Sequence, residues 1–200
     1  MTIRASARFL IPVTAALALA GCVKFGAKPP QQLLTIASNS APVAGRTINS
    51  KGLPTIAVLT PDVPRELDTM RIPVQIGENQ VAYVKDAFWT DTPRNMFQRV
   101  LADTISADGS VFVVGAEQIG LHPARRLSGD LINFGIDSST KQAVVTFDAV
   151  LAGSAPGEVS RRRFSASVPV NDIKATRVAD PISQAANQVA GQVAAWIKGG

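Results

Sequence analysis

Few side chains in this 200-residue chain are placed to make or break a bond. The one histidine, His122, stands in "GLHPARR" ahead of Pro123, with no Gly-x-Ser-x-Gly elbow and no metal-ligand spacing anywhere in the chain. A base without a nucleophile or an orienting partner predicts a loop histidine. Asp62, Glu66 and Asp68 have the type required for paired-carboxylate chemistry, but Pro61 and Pro64 surround them and a turn role is expected. Arg161-Arg162-Arg163 suits either a lipid headgroup or acidic partner, or a solvated strand edge that resists pairing. The sole cysteine, Cys22, can form no internal disulfide and has no neighbours to complete a metal site. The chain is therefore read as not an enzyme, with no catalytic residue, metal or cofactor.

The position of Cys22 gives it a different chemistry. Arg4 and Arg8 precede the uncharged run "FLIPVTAALALA", residues 9 to 20, which is shorter than the roughly 20 apolar residues of a membrane-spanning helix. The run ends in "LAGC", Leu19 to Cys22, which resembles the lipobox of bacterial lipoproteins. A transferase at the membrane needs a thiol there for a thioether to diacylglycerol, and the peptidase needs small residues such as Ala20 and Gly21 beside the scissile bond. Cleavage between Gly21 and Cys22 would leave Cys22 as an acylated N-terminus, carrying diacylglyceryl and an acyl group such as palmitate. Two or three chains, at about 0.8 kcal/mol per buried methylene, make a lasting anchor. Val23, in place of the Asp that retains many enteric lipoproteins at the inner membrane, favours the outer membrane facing the periplasm.

Residues 1–21 are accordingly a signal peptide and 22–31 a lipidated start with a tether. Its "VKFGAKPPQQ" (23–32) lacks a period and is stiffened by two prolines. Residues 32–198 read as one domain. Without the leader, eighteen Lys plus Arg face fifteen Asp plus Glu, a balance that gives no reason to expect nucleic acid.

The domain's elements follow from pattern. "LLTIA" (33–37) and "TIAVL" (55–59) read as strands buried on two faces. "RIPVQI" (71–76) sets Ile72, Val74 and Ile76 against Arg71, Pro73 and Gln75, and Pro73 predicts an edge strand or a bulge. A turn at 77–79 returns through "QVAYV" (80–84). Thr92 as N-cap and Pro93 at the first position predict a helix with Met96, Phe97, Val100, Leu101 and Ile105 on its buried face. Residues 110–117 read as a strand and 127–170 as an antiparallel meander with turns near 135–141 and 153–160. A last helix is predicted from an Asp180 cap and Pro181, with Ile182, Ala185, Ala186, Val189, Val193, Trp196 and Ile197 inward. The sum is an α+β fold: a single domain whose mixed or antiparallel sheet is packed by two amphipathic helices.

Residues 65–106 carry a Leu67-Asp68 pair, the hairpin 71–84, Trp89 ahead of the helix, and Arg99-Val100-Leu101 within it. In this order, behind a lipobox, they resemble the ABC-type transport auxiliary lipoproteins, the family that includes paraquat-inducible protein C; Leu34-Thr35-Ile36 departs from that family's usual Tyr-x-Leu opening. The resemblance implies a non-catalytic lipoprotein subunit working with an ABC permease, its ATPase and an MCE-domain protein that moves phospholipid or another lipid. Phe88 and Trp89 then either fill the groove between helix and hairpin or offer an apolar contact to a partner or lipid tail. The rival readings are an assembly lipoprotein partnering an outer-membrane β-barrel and a tethered hydrolase using His122. A homo-oligomer is open on either reading.

Overall fold

The computed structural model describes residues 33–41, 43–115, 122–155 and 157–199, all within one compact unit. Cys22, the signal cleavage site and residues 23–32 lie outside the described residues. Alternating apolar residues build the centre of an eight-stranded sheet from a meander of β6 (Arg125–Asp137), β7 (Gln142–Ala152) and β8 (Val159–Pro169). On the far flank of β6, β2 (Thr55–Val58) runs parallel to its beginning and carries β5 (Phe112–Val114) in turn. β3 (Arg71–Gly77) runs parallel to the end of β6, and β4 (Gln80–Trp89) folds back on β3. β1 (Leu33–Leu34) is parallel to the end of β4.

Helices α1 (Pro93–Ser106) and α2 (Ala175–Gly199) pack on one face of the sheet. The core between the layers is apolar and aromatic. Phe97 of α1 meets Phe147 and Phe134 edge-on at 5.3 and 6.4 Å between ring centroids, and Trp89 meets Phe134 at 5.9 Å. The expected α+β sandwich is the observed one, and the inward faces of both helices are those predicted, with Trp196 half-buried at the rim.

Three local expectations are corrected. The segment at 33–37 pairs only at Leu33 and Leu34, and Leu33 is 62% exposed, so it is an edge and not a strand buried on both sides. β2 likewise buries only one face, through Ile56 and Val58. The Pro73 expectation is met by its second alternative, since β3 is interior and carries a register shift between Arg71 and Pro73, with Gly135 beside it, where any Cβ would strike Pro73. α2 begins six residues before Pro181, so Asp180 is not its N-cap. Pro181 removes one N–H within the helix, yet Val178, one turn before Ile182, extends the buried stripe and is itself fully buried. That added burial, about 1.5–3 kcal/mol, offsets much of the roughly 3 kcal/mol that a proline inside a helix costs. Of the strand expected at 110–117, residues 112–114 form β5, and 116 and 117 lie outside the described residues.

At α1, Thr92 occupies the N-cap position but its hydroxyl makes no capping bond. Asp91 instead ties the approach to the helix to its first two turns. One carboxylate oxygen accepts from the Thr92 N–H at 2.7 Å and from Asn95 Nδ2 at 2.9 Å, and the other accepts from Arg99 Nη1 at 2.8 Å. The Arg99 bond, chiefly, holds the Asp91 carboxyl below the usual carboxylate range. Lys198 does the same for Asp108, and Arg163 for Asp148, while burial pushes Asp103 up. A depressed folded pKa contributes stability that is present above the unfolded value of about 3.9 and is lost as pH falls through the lower folded value. Asp137, held down chiefly by the Ser139 hydroxyl, makes a fourth such carboxylate against one raised, so thermal stability is expected to hold from pH 7 to about 5 and to decline below about 4. Asp91→Asn, compared by thermal unfolding across pH, should have a lower midpoint at pH 7 and a shallower acid decline.

Candidate functional site

Two bulges decide which side chains reach the sheet face that carries no helix. In β6, Leu127 and Leu131 point inward, but the register shift between Leu131 and Asn133 changes the parity, so Phe134 and Ile136 continue the core. Ile132 and Asn133 are both turned to the open face. In β4, residue 71 of β3 pairs with Phe88 while residue 73 pairs with Tyr83, so the intervening β4 residues bulge around Asp86, whose φ is +54°. This shifts the inward set from Val84 to Ala87 and Trp89. Without the bulge, alternation would send Trp89 outward.

The sequence-predicted contact pair is therefore divided. Trp89 is fully buried against Phe134, and a partner could touch it only by opening the core. Phe88 is half-buried on the helix-free face, in register with the exposed Leu33 on one side and Arg71 on the other. Arg71 lays its guanidinium 4.3 Å from the centre of the Tyr83 ring, so an apolar and cationic strip runs from Leu33 towards β3.

That strip leads to a groove of about 160 Å³ lined by Glu66, Pro73, Gln75, Val81, Ile132 and Val144, among others. It adjoins a hollow of about 440 Å³ that shares Glu66, Ile132 and Asn133 and reaches Asp62 and Asp130. The wall is the chain between β2 and β3. It follows β6 through Leu59 N–H to the Leu127 carbonyl at 2.9 Å, Asp62 N–H to that of Gly129 at 2.9 Å, and Leu131 N–H to that of Asp62 at 2.8 Å. Leu67 is buried beneath the same segment. Val81 and Ile132 remain 43% and 37% exposed. Both depressions are open to solvent, which suits a partner laid across the face better than a substrate sealed from water.

The remaining candidates are dispersed. His122 is exposed ahead of β6, and among the described residues no acid or hydroxyl hydrogen-bonds it. Asp62 and Glu66 serve the groove wall, and Asp68 pairs with Arg94 of α1. No group of three described His, Cys, Asp or Glu residues is placed to hold a metal ion. Arg163 forks onto Asp148 of β7 through bonds of 2.6 and 2.7 Å, Arg161 lies 4.0 Å from Asp130, and Arg162 lies over Phe164 on the helix side. Among the described residues, no helix is long and apolar enough to cross a membrane.

Residues 35–194 match the model of the ABC-type transport auxiliary lipoprotein component family. The chain belongs to this family. The resemblance read from residues 65–106 is thus borne out over most of the domain, and this family member is an auxiliary lipoprotein component of an ABC-type transport system, associated with the cell envelope. Solved structures share its fold. Protein XCC0632 from Xanthomonas campestris, assigned to DUF330, has a TM-score of 0.69 at 19% identity, covering 84% of this chain and 96% of that one. An uncharacterized protein has a TM-score of 0.58 at 16% identity, with 72% and 89% covered. No curated protein matches the chain significantly. Ile132 and Asn133 owe their place in the groove to the β6 bulge, and sequence reading missed them. The available signal was the break in alternation between Leu131 and Phe134.

Proposed function

We propose that this auxiliary component is a periplasm-facing lipoprotein, anchored in the outer membrane through acylated Cys22, that docks the MCE-domain conduit of an ABC lipid transport system without catalysing a reaction itself. The helix-free face is the observation that carries the reading. It offers a continuous open surface, from Leu33 and Phe88 through Tyr83 to Val81 and Ile132, apolar enough to bind and too open to enclose chemistry. Residues 1–21 are the leader, 22–31 the tether and 32–198 the domain. Ten extended residues reach at most roughly 35 Å, so the docking face works close to the membrane.

The test is cross-linking in intact cells with identification of the captured partners. Native protein is expected to capture the MCE and ABC components, and Phe88→Ala together with Ile132→Ser to reduce that capture at unchanged stability. Cys22→Ser is expected to move the protein from the membrane fraction to the soluble periplasm, because no acyl chain then holds it. Capture of a β-barrel in place of an MCE protein would assign it to outer-membrane assembly. Loss of function on His122→Ala in a folded protein would establish the hydrolase.

A further inference from the structure

The sheet edges open among the described residues differ in length and regularity. β1 offers two residues and β5 three, too few to template another strand, and the flank of β4 that β1 leaves uncovered is broken by the bulge at Asp86. β8 offers eleven, paired without interruption to β7 on one side and with no described strand on the other. The direction of its backbone groups follows from its ends. Val170 N–H donates to the Lys141 carbonyl and Gly153 N–H to that of Glu158, both at 2.8 Å, so even-numbered residues face β7. Ladder alternation leaves the N–H and C=O groups of Arg161, Arg163, Ser165 and Ser167 facing out. Pro169 falls in the same outward set and, lacking an N–H, ends the row.

A long unpaired edge is a hazard that proteins blunt with charge, and here the charge has one sign. Arg163 is engaged by Asp148, Arg161 is only loosely opposite Asp130, and Arg162 has no acidic partner among the described residues. Arg161 and Arg163 project on the helix-free face, and Arg162 on the other. Beside Arg162, Phe164 and Trp196, 5.5 Å apart between ring centroids, line an open notch with Gln192 and Ala195.

We infer that the β8 edge receives an extended acidic segment of a partner protein as an added strand. Backbone bonds run to residues 161–167, carboxylates face the three arginines, and an apolar side chain sits in the Phe164–Trp196 notch. Opposite charges directly across a strand pair are favourable and like charges unfavourable, so pairing with β8 of a second copy centred on the triad sets arginine against arginine. This inference does not rest on the transport reading, since it uses only the edge, its charge and the notch.

The probe is a short synthetic peptide alternating Glu with Val around a central Trp, beside the same peptide with Lys for Glu. The full chain in detergent is followed by amide hydrogen exchange and fluorescence anisotropy. The Glu peptide is expected to slow exchange at Arg161, Arg163, Ser165 and Ser167, and the Lys peptide is not. Ser165→Pro removes an outward N–H and none that faces β7, and should weaken binding about tenfold. Arg161→Glu with Arg162→Glu, which leaves the edge backbone intact, should transfer the preference to the Lys peptide. No protection at those amides, or binding indifferent to Ser165→Pro and to the charge reversal, overturns the inference. So does protection brought by phosphatidylglycerol vesicles or by self-association while the peptide has no effect.

Discussion

Trp89→Ala is expected to lower the unfolding free energy by about 3–5 kcal/mol, the range for removing a buried large aromatic side chain. The side chain is completely buried and meets Phe134 at an angle of 64°, within the aromatic cluster that joins the sheet to α1. Truncation leaves a cavity bordered by β4 and β6, both of which are fixed in register by neighbouring strands and collapse poorly. Trp89→Phe should cost much less, since the indole Nε1 has no hydrogen-bond partner among the described residues and its removal strands no acceptor. Chemical denaturation monitored by far-ultraviolet circular dichroism measures both. The comparison with Phe88→Ala gives the prediction its functional content: that substitution should shift stability by less than about 1 kcal/mol while reducing partner capture. If Trp89→Ala were nearly neutral for stability and abolished capture, Trp89 would be the contact residue and the core assignment would fail.

The reach of the sequence follows the same division. The α1 face was legible because Met96, Phe97, Val100, Leu101 and Ile105 repeat at helical spacing and nothing tertiary opposes them. β7 was legible because Ala143, Val145, Phe147 and Ala149 alternate without a break. Where alternation fails, a reading by period fails with it. The β4 bulge at Asp86 concealed the last five residues of the strand, and with them the inward turn of Trp89. The start of α2 was concealed by local chemistry: Asp180-Pro181 is a strong helix-start pattern, and the burial of Val178 that overrides it is a tertiary effect. The groove could not be read from the chain because its lining comes from β3, β4, β6, β7 and the segment before β3. The family was legible for another reason, since it rests on short motifs in order and not on packing.

Gly129→Ala is expected to be as damaging as the loss of Trp89, through strain and overlap instead of a cavity. Gly129 has a φ of +147°, which side-chain-bearing residues rarely adopt, and a Cβ there would overlap the Asp148 carbonyl oxygen and lie 3.0 Å from the Phe147 ring. The obstacle is backbone on the paired strand β7, so no rotamer change relieves it. Backbone strain of about 1–3 kcal/mol adds to overpacking of about 1–3 kcal/mol, a large part of the roughly 5–15 kcal/mol that holds an ordinary domain. Two controls separate the contributions. Gly157→Ala meets a φ of +82° with nothing near its Cβ and should cost about 1–2 kcal/mol from strain alone. Gly191→Ala, inside α2 with open space around it, should stabilise by about 1 kcal/mol through helix propensity. Denaturation of the three variants gives the order directly, and equal losses for Gly129→Ala and Gly157→Ala would remove the overlap from the account. The Gly129 carbonyl also accepts the Asp62 N–H that fastens the groove wall to β6. Relief of the clash by parting β6 from β7 therefore displaces that wall, and residual folded Gly129→Ala should show faster exchange at the Asp62 amide and weaker partner capture together.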